Sequence, residues 1–171
     1  MRLGLSQDQQ QVPTRSVSDI MPPPIAALTT KEIPYDYVAR FVLTGNPSTR
    51  LQDVINISIE GAFVAVSIGY SFIPSDRGAE GTSFNTRAID FKYSIVDSGS
   101  GRELQNRPIH NIAGLGEASG RRPFRPLAKP MLFMPRSTIR IEVEEITKSI
   151  TKDAELFIVF HGYKMLGYGM G

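Results

Sequence analysis

The chain has 171 residues, 41% hydrophobic and 21% charged, with a formal net charge of +2, which suits one soluble globular domain and excludes a disordered or fibrous protein. Cysteine is absent, so disulfide frameworks, zinc ribbons, iron–sulfur clusters and thiol nucleophiles are excluded together. The longest apolar stretch, Gly61 to Tyr70, falls well short of the ~20 residues a spanning helix needs, and the N-terminus lacks the apolar core of a signal peptide; neither a membrane partner nor a cleaved leader is expected.

Residues 1–33 read as an extended arm. Pro13 and the run Pro22-Pro23-Pro24 favour polyproline II and cannot sit inside a helix or a central strand. Charges in the arm cancel, Arg2, Arg15 and Lys31 against Asp8, Asp19 and Glu32, so it is not a basic nucleic-acid tail. Periodicity then turns to two. Tyr35 to Leu43 alternate and stop at Thr44-Gly45-Asn46-Pro47, a strand followed by a turn. Ile55, Ile57 and Ile59 alternate with polar residues, and Phe63 to Ile68 read as a strand covered on both faces, with Gly61 marking a bulge or tight bend between them. Pro74 to Arg87 read as a surface loop.

Ile89, Phe91, Tyr93 and Ile95 alternate cleanly and end at Asp97-Ser98-Gly99-Ser100-Gly101. The following stretch to Pro135 is a Pro- and Gly-rich connection carrying six basic residues against Glu103 and Glu117, with a short strand at Met131–Met134. Ile139, Ile141 and Val143 alternate with Arg140, Glu142 and Glu144 as a half-buried strand. Leu156 to Phe160 are apolar at every position, which predicts a central strand. No window carries a capped helical pattern, so helices should be few and short. The expected fold is mainly β, an antiparallel β-sandwich of jelly-roll type with a barrel second, over 34–166, preceded by the arm 1–33 and followed by a Gly-rich tail 167–171.

Sites for chemistry are few. There is no Gly-x-Ser-x-Gly elbow to present a nucleophile to a base. His161, expected at the end of the most apolar strand, reads as a hydrogen-bonded structural imidazole, and His110 as a loop residue; no metal and no cofactor are expected. Glu142 and Glu144 share one face of a strand about 6.5–7 Å apart, a spacing that suggests paired carboxylates, yet a solvated face shared with Arg140 explains them. Gly114 to Gly120 read as a flexible loop, because no strand precedes and no helix follows. In Arg121-Arg122-Pro123-Phe124-Arg125 the mixture of arginine and aromatic suits a protein interface more than a nucleic acid.

The succession Arg107-Pro108-Ile109-His110-Asn111, Arg122-Pro123-Phe124-Arg125-Pro126, Met134-Pro135-Arg136-Ser137 before Thr138 to Val143, and Leu156 to Lys164 resembles a small virion structural protein of tailed bacteriophages, in which a proline-led strand precedes a final hydrophobic strand ending in a His-Gly-Tyr-Lys corner. The resemblance covers Tyr35 to Leu166. It implies a non-enzymatic β-sandwich subunit of a capsid, neck, collar or tail, assembled in the host cytoplasm, with other virion proteins (portal, connector, capsid or tail subunits) and copies of itself as partners. The residues expected at interfaces are Pro22, Pro23, Pro24 and Ile25 in the arm, Arg121, Arg122, Phe124 and Arg125 in the basic loop, and Tyr168 near the tail. The rival expectation is a carbohydrate-binding module for a host surface, with Tyr70, Phe72 and Phe84 as its aromatic platform.

Overall fold

The computed structural model describes residues 30–75, 89–115, 124–146 and 153–167. Among these residues nine strands and one short helix follow in chain order: β1 (Thr30–Val42), β2 (Arg50–Asn56), β3 (Gly61–Ile73), β4 (Phe91–Asp97), β5 (Arg102–Glu103), β6 (Ile109–His110), α1 (Asn111–Gly114), β7 (Phe124–Phe133), β8 (Thr138–Glu145) and β9 (Glu155–Gly167). They form two antiparallel sheets. Sheet A has the order β1-β9-β3-β7; sheet B has β2-β8-β4-β5, with β6 also on β4.

This order is that of a hairpin rolled up as a ribbon. The first strand pairs with the last, β2 with β8, β3 with β7, and β4 with the short β5 and β6, and most connections cross from one sheet to the other. Such a double-sheet Greek-key wrap is the jelly-roll arrangement, so the expected sandwich is present and the barrel is not.

Inward positions build the core at period two. Tyr37, Ala39 and Phe41 on β1, Leu156, Ile158 and Phe160 on β9, and Phe63, Ile68, Tyr70 and Phe72 on β3 face Phe91, Tyr93 and Ile95 on β4 and Ile139, Ile141 and Val143 on β8. β9 lies between β1 and β3, which makes it the central strand that its continuous apolar run predicts.

Several expectations are corrected. β2 ends at Asn56; Ile57 still packs into the core, but Ile59 sits in the following turn, 63% exposed. That turn precedes Gly61, while the bulge falls at Val66, where the β3–β9 register slips by one residue. The strand expected at Met131–Met134 is the end of a longer β7, which holds Pro126 and Pro130. Pro34 lies within β1, whose first residues belong to the stretch read as arm. All three prolines are on the two outer strands of sheet A, where a missing N–H breaks no ladder. His110 belongs to β6 rather than a loop, opposite Lys92. His161 is not at a strand end: β9 continues to Gly167, and no corner forms at His161–Lys164. Gly162 instead permits close passage of β3, since a Cβ there would stand 1.9 Å from the Val64 carbonyl oxygen.

Candidate functional site

The two outer faces of the sandwich differ in chemistry. On sheet B, the outward side chains of β8 and its neighbours are charged and paired: Glu144 with Arg50 at 3.5 Å and Lys92 at 3.3 Å, and Glu142 with Arg140 at 3.5 Å. These pairs account for Glu142 and Glu144 as an ordinary solvated face. Glu145, next in sequence, points the other way and is buried. Its carboxylate accepts from the Thr44 N–H (2.8 Å), the Thr44 hydroxyl (2.9 Å) and the Gly45 N–H (2.9 Å), which fixes the β1–β2 turn.

The outer face of sheet A is apolar. Val38 and Val42 on β1, Phe157 and Val159 on β9, Val66 on the β3 bulge, and Phe124 and Leu132 on β7 point away from the core. Val38 is 49% exposed, Leu132 53%, and Met134, just past β7, 58%. Contiguous exposed apolar surface of this kind marks an interaction face on soluble proteins. Two polar pairs, and the serines Ser67 and Ser71 on β3, interrupt it. Arg40 pairs with Glu155, and Asp36 accepts a 2.8 Å hydrogen bond from Nδ1 of His161.

His161 stands in one row with Asp36 on β1 and Ser67 on β3. That row has the residue types of a nucleophile, base and orienting acid. Its geometry is otherwise: Nε2 of His161 is buried with no hydrogen-bond partner among the described residues, and the Phe124 ring stands edge-on to the imidazole with centroids 4.0 Å apart. The imidazole lines neither of the two cavities of about 290 Å³. Asp36 and His161 therefore hold Phe124 in place on the apolar face.

Between the sheets, on the side away from the β1–β2 turn, lies a cavity of about 290 Å³. Ile68, Met131 and Phe160 of sheet A and Tyr93 and Ile95 of sheet B form its walls, Leu104, Ile109 and Gly114 border it, and one side is open to solvent. The cavity exists because Leu127–Pro130 leave the β3–β7 ladder: Ala65 pairs with Met131, but Ser67 pairs with Pro126. Arg125 lines it and donates from Nη1 to the Ala113 carbonyl. The Tyr93 hydroxyl rests against Gly114, where any Cβ would overlap it at 1.8 Å. Burial pushes the Tyr93 phenol up to about 12, tempered by the Arg125 charge, so it is a hydrogen-bond donor at neutral pH. A second cavity of about 290 Å³ is polar, between Arg107, Arg140, Glu103 and Glu142 beside β4 and β5.

Of the expected interface residues, Phe124 and Arg125 are described. They are consecutive on β7, not in a loop, and so part company: Phe124 lies on the outer face, Arg125 at the inter-sheet cavity. Pro22, Pro23, Pro24, Ile25, Arg121, Arg122 and Tyr168 lie outside the described residues, as does Phe84. Tyr70 and Phe72 are core side chains, 6% and 3% exposed, so they form no sugar-binding platform. Three buried polar groups carry no local sequence signal. Asn111 donates to the Ile89 carbonyl (2.7 Å) and the Tyr70 hydroxyl (3.2 Å) and accepts from the Phe91 N–H (3.2 Å). Glu145 is the second. Lys164 is the third, its ammonium 3.6 Å from the centre of the Tyr35 ring and 5.4 Å from that of Tyr37, a cation–π arrangement. Among the described residues no group of three or more His, Asp or Glu is placed to hold a metal ion, and no helix is long and apolar enough to cross a membrane.

No family model matches the chain, and no curated protein matches it. Among solved structures it is similar to one named Desmodium yellow mottle tymovirus, at 11% identity and a TM-score of 0.25, over 100% of this chain and 98% of that chain. A likeness that slight transfers neither fold nor function.

Proposed function

We propose that the chain is a non-enzymatic structural subunit of a virion, acting through subunit–subunit contacts, and that its place is the head–tail neck or collar, or the capsid surface, of a tailed bacteriophage. The observation that carries this is the contrast between the faces: one jelly-roll sheet shows water paired charges, the other shows it valine, leucine and phenylalanine. A sheet face of that composition is stable in solution when another surface covers it. Its occupant in this proposal is a neighbouring copy of the chain, reached in part by the arm, which joins sheet A at its β1 edge. The fold alone does not decide between uses, since jelly rolls serve capsids and lectins alike. The tailed-phage placement rests on the sequence resemblance.

Light scattering on the purified full-length protein tests the assembly. The expected result is a closed oligomer that becomes monomeric when Val38→Lys and Leu132→Glu are combined, with unchanged circular dichroism. Removal of residues 1–29, which leaves β1 whole, should weaken the oligomer. A full-length protein that is monomeric at every concentration, or a double variant with the parental mass, overturns the proposal.

A further inference from the structure

We propose that the inter-sheet cavity beside β7 binds a straight-chain monocarboxylate of about eight carbons, its alkyl tail between the sheets and its carboxylate on the Arg125 guanidinium. This is a small-molecule site, independent of how copies of the chain assemble.

Three features of the cavity define that ligand. Its walls are mostly apolar, drawn largely from the inner faces of both sheets with Gln105 as a neutral polar exception, so they favour a hydrocarbon tail. Its volume of about 290 Å³ is roughly twice the ~150 Å³ in which an engineered apolar cavity holds benzene, which leaves room for about ten non-hydrogen atoms. Arg125 is the one charged residue among the described residues that line it. A single cation suits a single negative charge, and the planar guanidinium fork matches a carboxylate in two-point contact. Among the described residues one of its N–H groups is engaged, on the Ala113 carbonyl, and the guanidinium carries further donors for a ligand. The Tyr93 hydroxyl in the same wall adds a neutral donor.

The geometry is built rather than incidental. Packing at native density would close the space between the sheets if β7 followed β3 without interruption. The departure of Leu127–Pro130 from the ladder holds it open. Gly114 keeps the Tyr93 hydroxyl in the wall, because a side chain there would displace it.

The test uses the full-length protein with sodium octanoate as probe, and 1-octanol as a neutral analogue. Thermal melting and the Met131 methyl resonance are followed through the titration. Octanoate should raise the melting temperature saturably and shift the Met131 signal. Arg125→Gln should weaken octanoate about tenfold, the loss of one charge-assisted contact, and leave 1-octanol unchanged. Ala128→Phe, on the exposed strand that borders the cavity, should abolish binding of both; the melting temperature of the ligand-free variant reports that it folds. An unmoved Met131 signal below the micelle range of octanoate overturns the site. Equal weakening of octanoate and octanol by Arg125→Gln overturns the carboxylate assignment.

Discussion

Asn111 ties three parts of the sandwich together, and its removal tests how far the fold depends on one buried amide. The side chain is fully buried. Its Oδ1 satisfies the Phe91 N–H at the start of β4, and its Nδ2 satisfies both the Ile89 carbonyl and the Tyr70 hydroxyl, the last belonging to the opposite sheet. Asn111→Ala leaves two backbone groups without partners at about 1–3 kcal/mol each and one side-chain hydrogen bond unmade at about 1 kcal/mol. The total is roughly 3–7 kcal/mol. At about 2–4 °C per kcal/mol for a chain of this length, the melting temperature should fall by roughly 6–28 °C. Asn111→Asp sharpens the test. A carboxylate oxygen in place of the amide nitrogen faces the Ile89 carbonyl, acceptor against acceptor, so the folded state keeps the bond only when the acid is protonated. The folded pKa is then raised above the unfolded value of about 3.9. Its contribution is present below that value and is lost as pH rises through the folded pKa. Urea denaturation followed by tyrosine fluorescence suits a chain without tryptophan. An Asn111→Ala penalty under about 1 kcal/mol, or an Asn111→Asp penalty that does not grow from pH 4 to pH 7, would show that the amide does not hold these three parts together.

Four other outcomes are expected. Glu145→Gln puts an amide donor among the donors of Thr44 and Gly45 and should cost about 1–3 kcal/mol, measured by urea denaturation. Glu142→Gln, on the solvated face, should change stability by less than about 0.5 kcal/mol in the same assay. Gly162→Ala drives a methyl into the Val64 carbonyl and should lower stability by about 1–3 kcal/mol or more, seen as a depressed melting temperature. Tyr93 makes the protein labile to alkali: the unfolded phenol ionises near pH 10 and the folded one near 12, so stability is intact below pH 10 and declines by up to about 3 kcal/mol between pH 10 and 12. Tyr93→Phe should flatten that part of the pH profile; a profile identical to the parent would show that Tyr93 titrates normally.

The strands that alternate between one wet and one dry face were legible from their residues. Ile89 to Ile95 and Ile139 to Val143 are the clearest, and both are central in sheet B, where charged partners cover the outer side. β7 was hidden because its prolines read as breakers, and only its position at a sheet edge makes Pro126 and Pro130 admissible. The corner expected after His161 followed from reading His-Gly-Tyr-Lys locally, whereas two flanking strands carry the chain straight through. Asn111 and Glu145 were silent for another reason: they meet partners 41 and 101 positions away, and no local pattern announces a contact of that range. The cavity likewise belongs to no segment, since both sheets and the displaced part of β7 are needed to line it.

One sequence trait says more with the fold in hand than without it. Leu156 to Phe160 are apolar on both faces, which in a parallel sheet would mean helices on each side. Here the inner half, Leu156, Ile158 and Phe160, packs against sheet B, while the outer half, Phe157 and Val159, has no second layer among the described residues. The same surplus occurs at Val38 and Val42 beside it and at Leu132 on the far edge. Surplus at a single position is ordinary. Surplus repeated across the strands of one sheet, opposite a sheet whose outer face is ion-paired, marks a surface for contact with another, and it is why the face of sheet A, more than any side-chain cluster, is where the proposed contact between copies is to be tested.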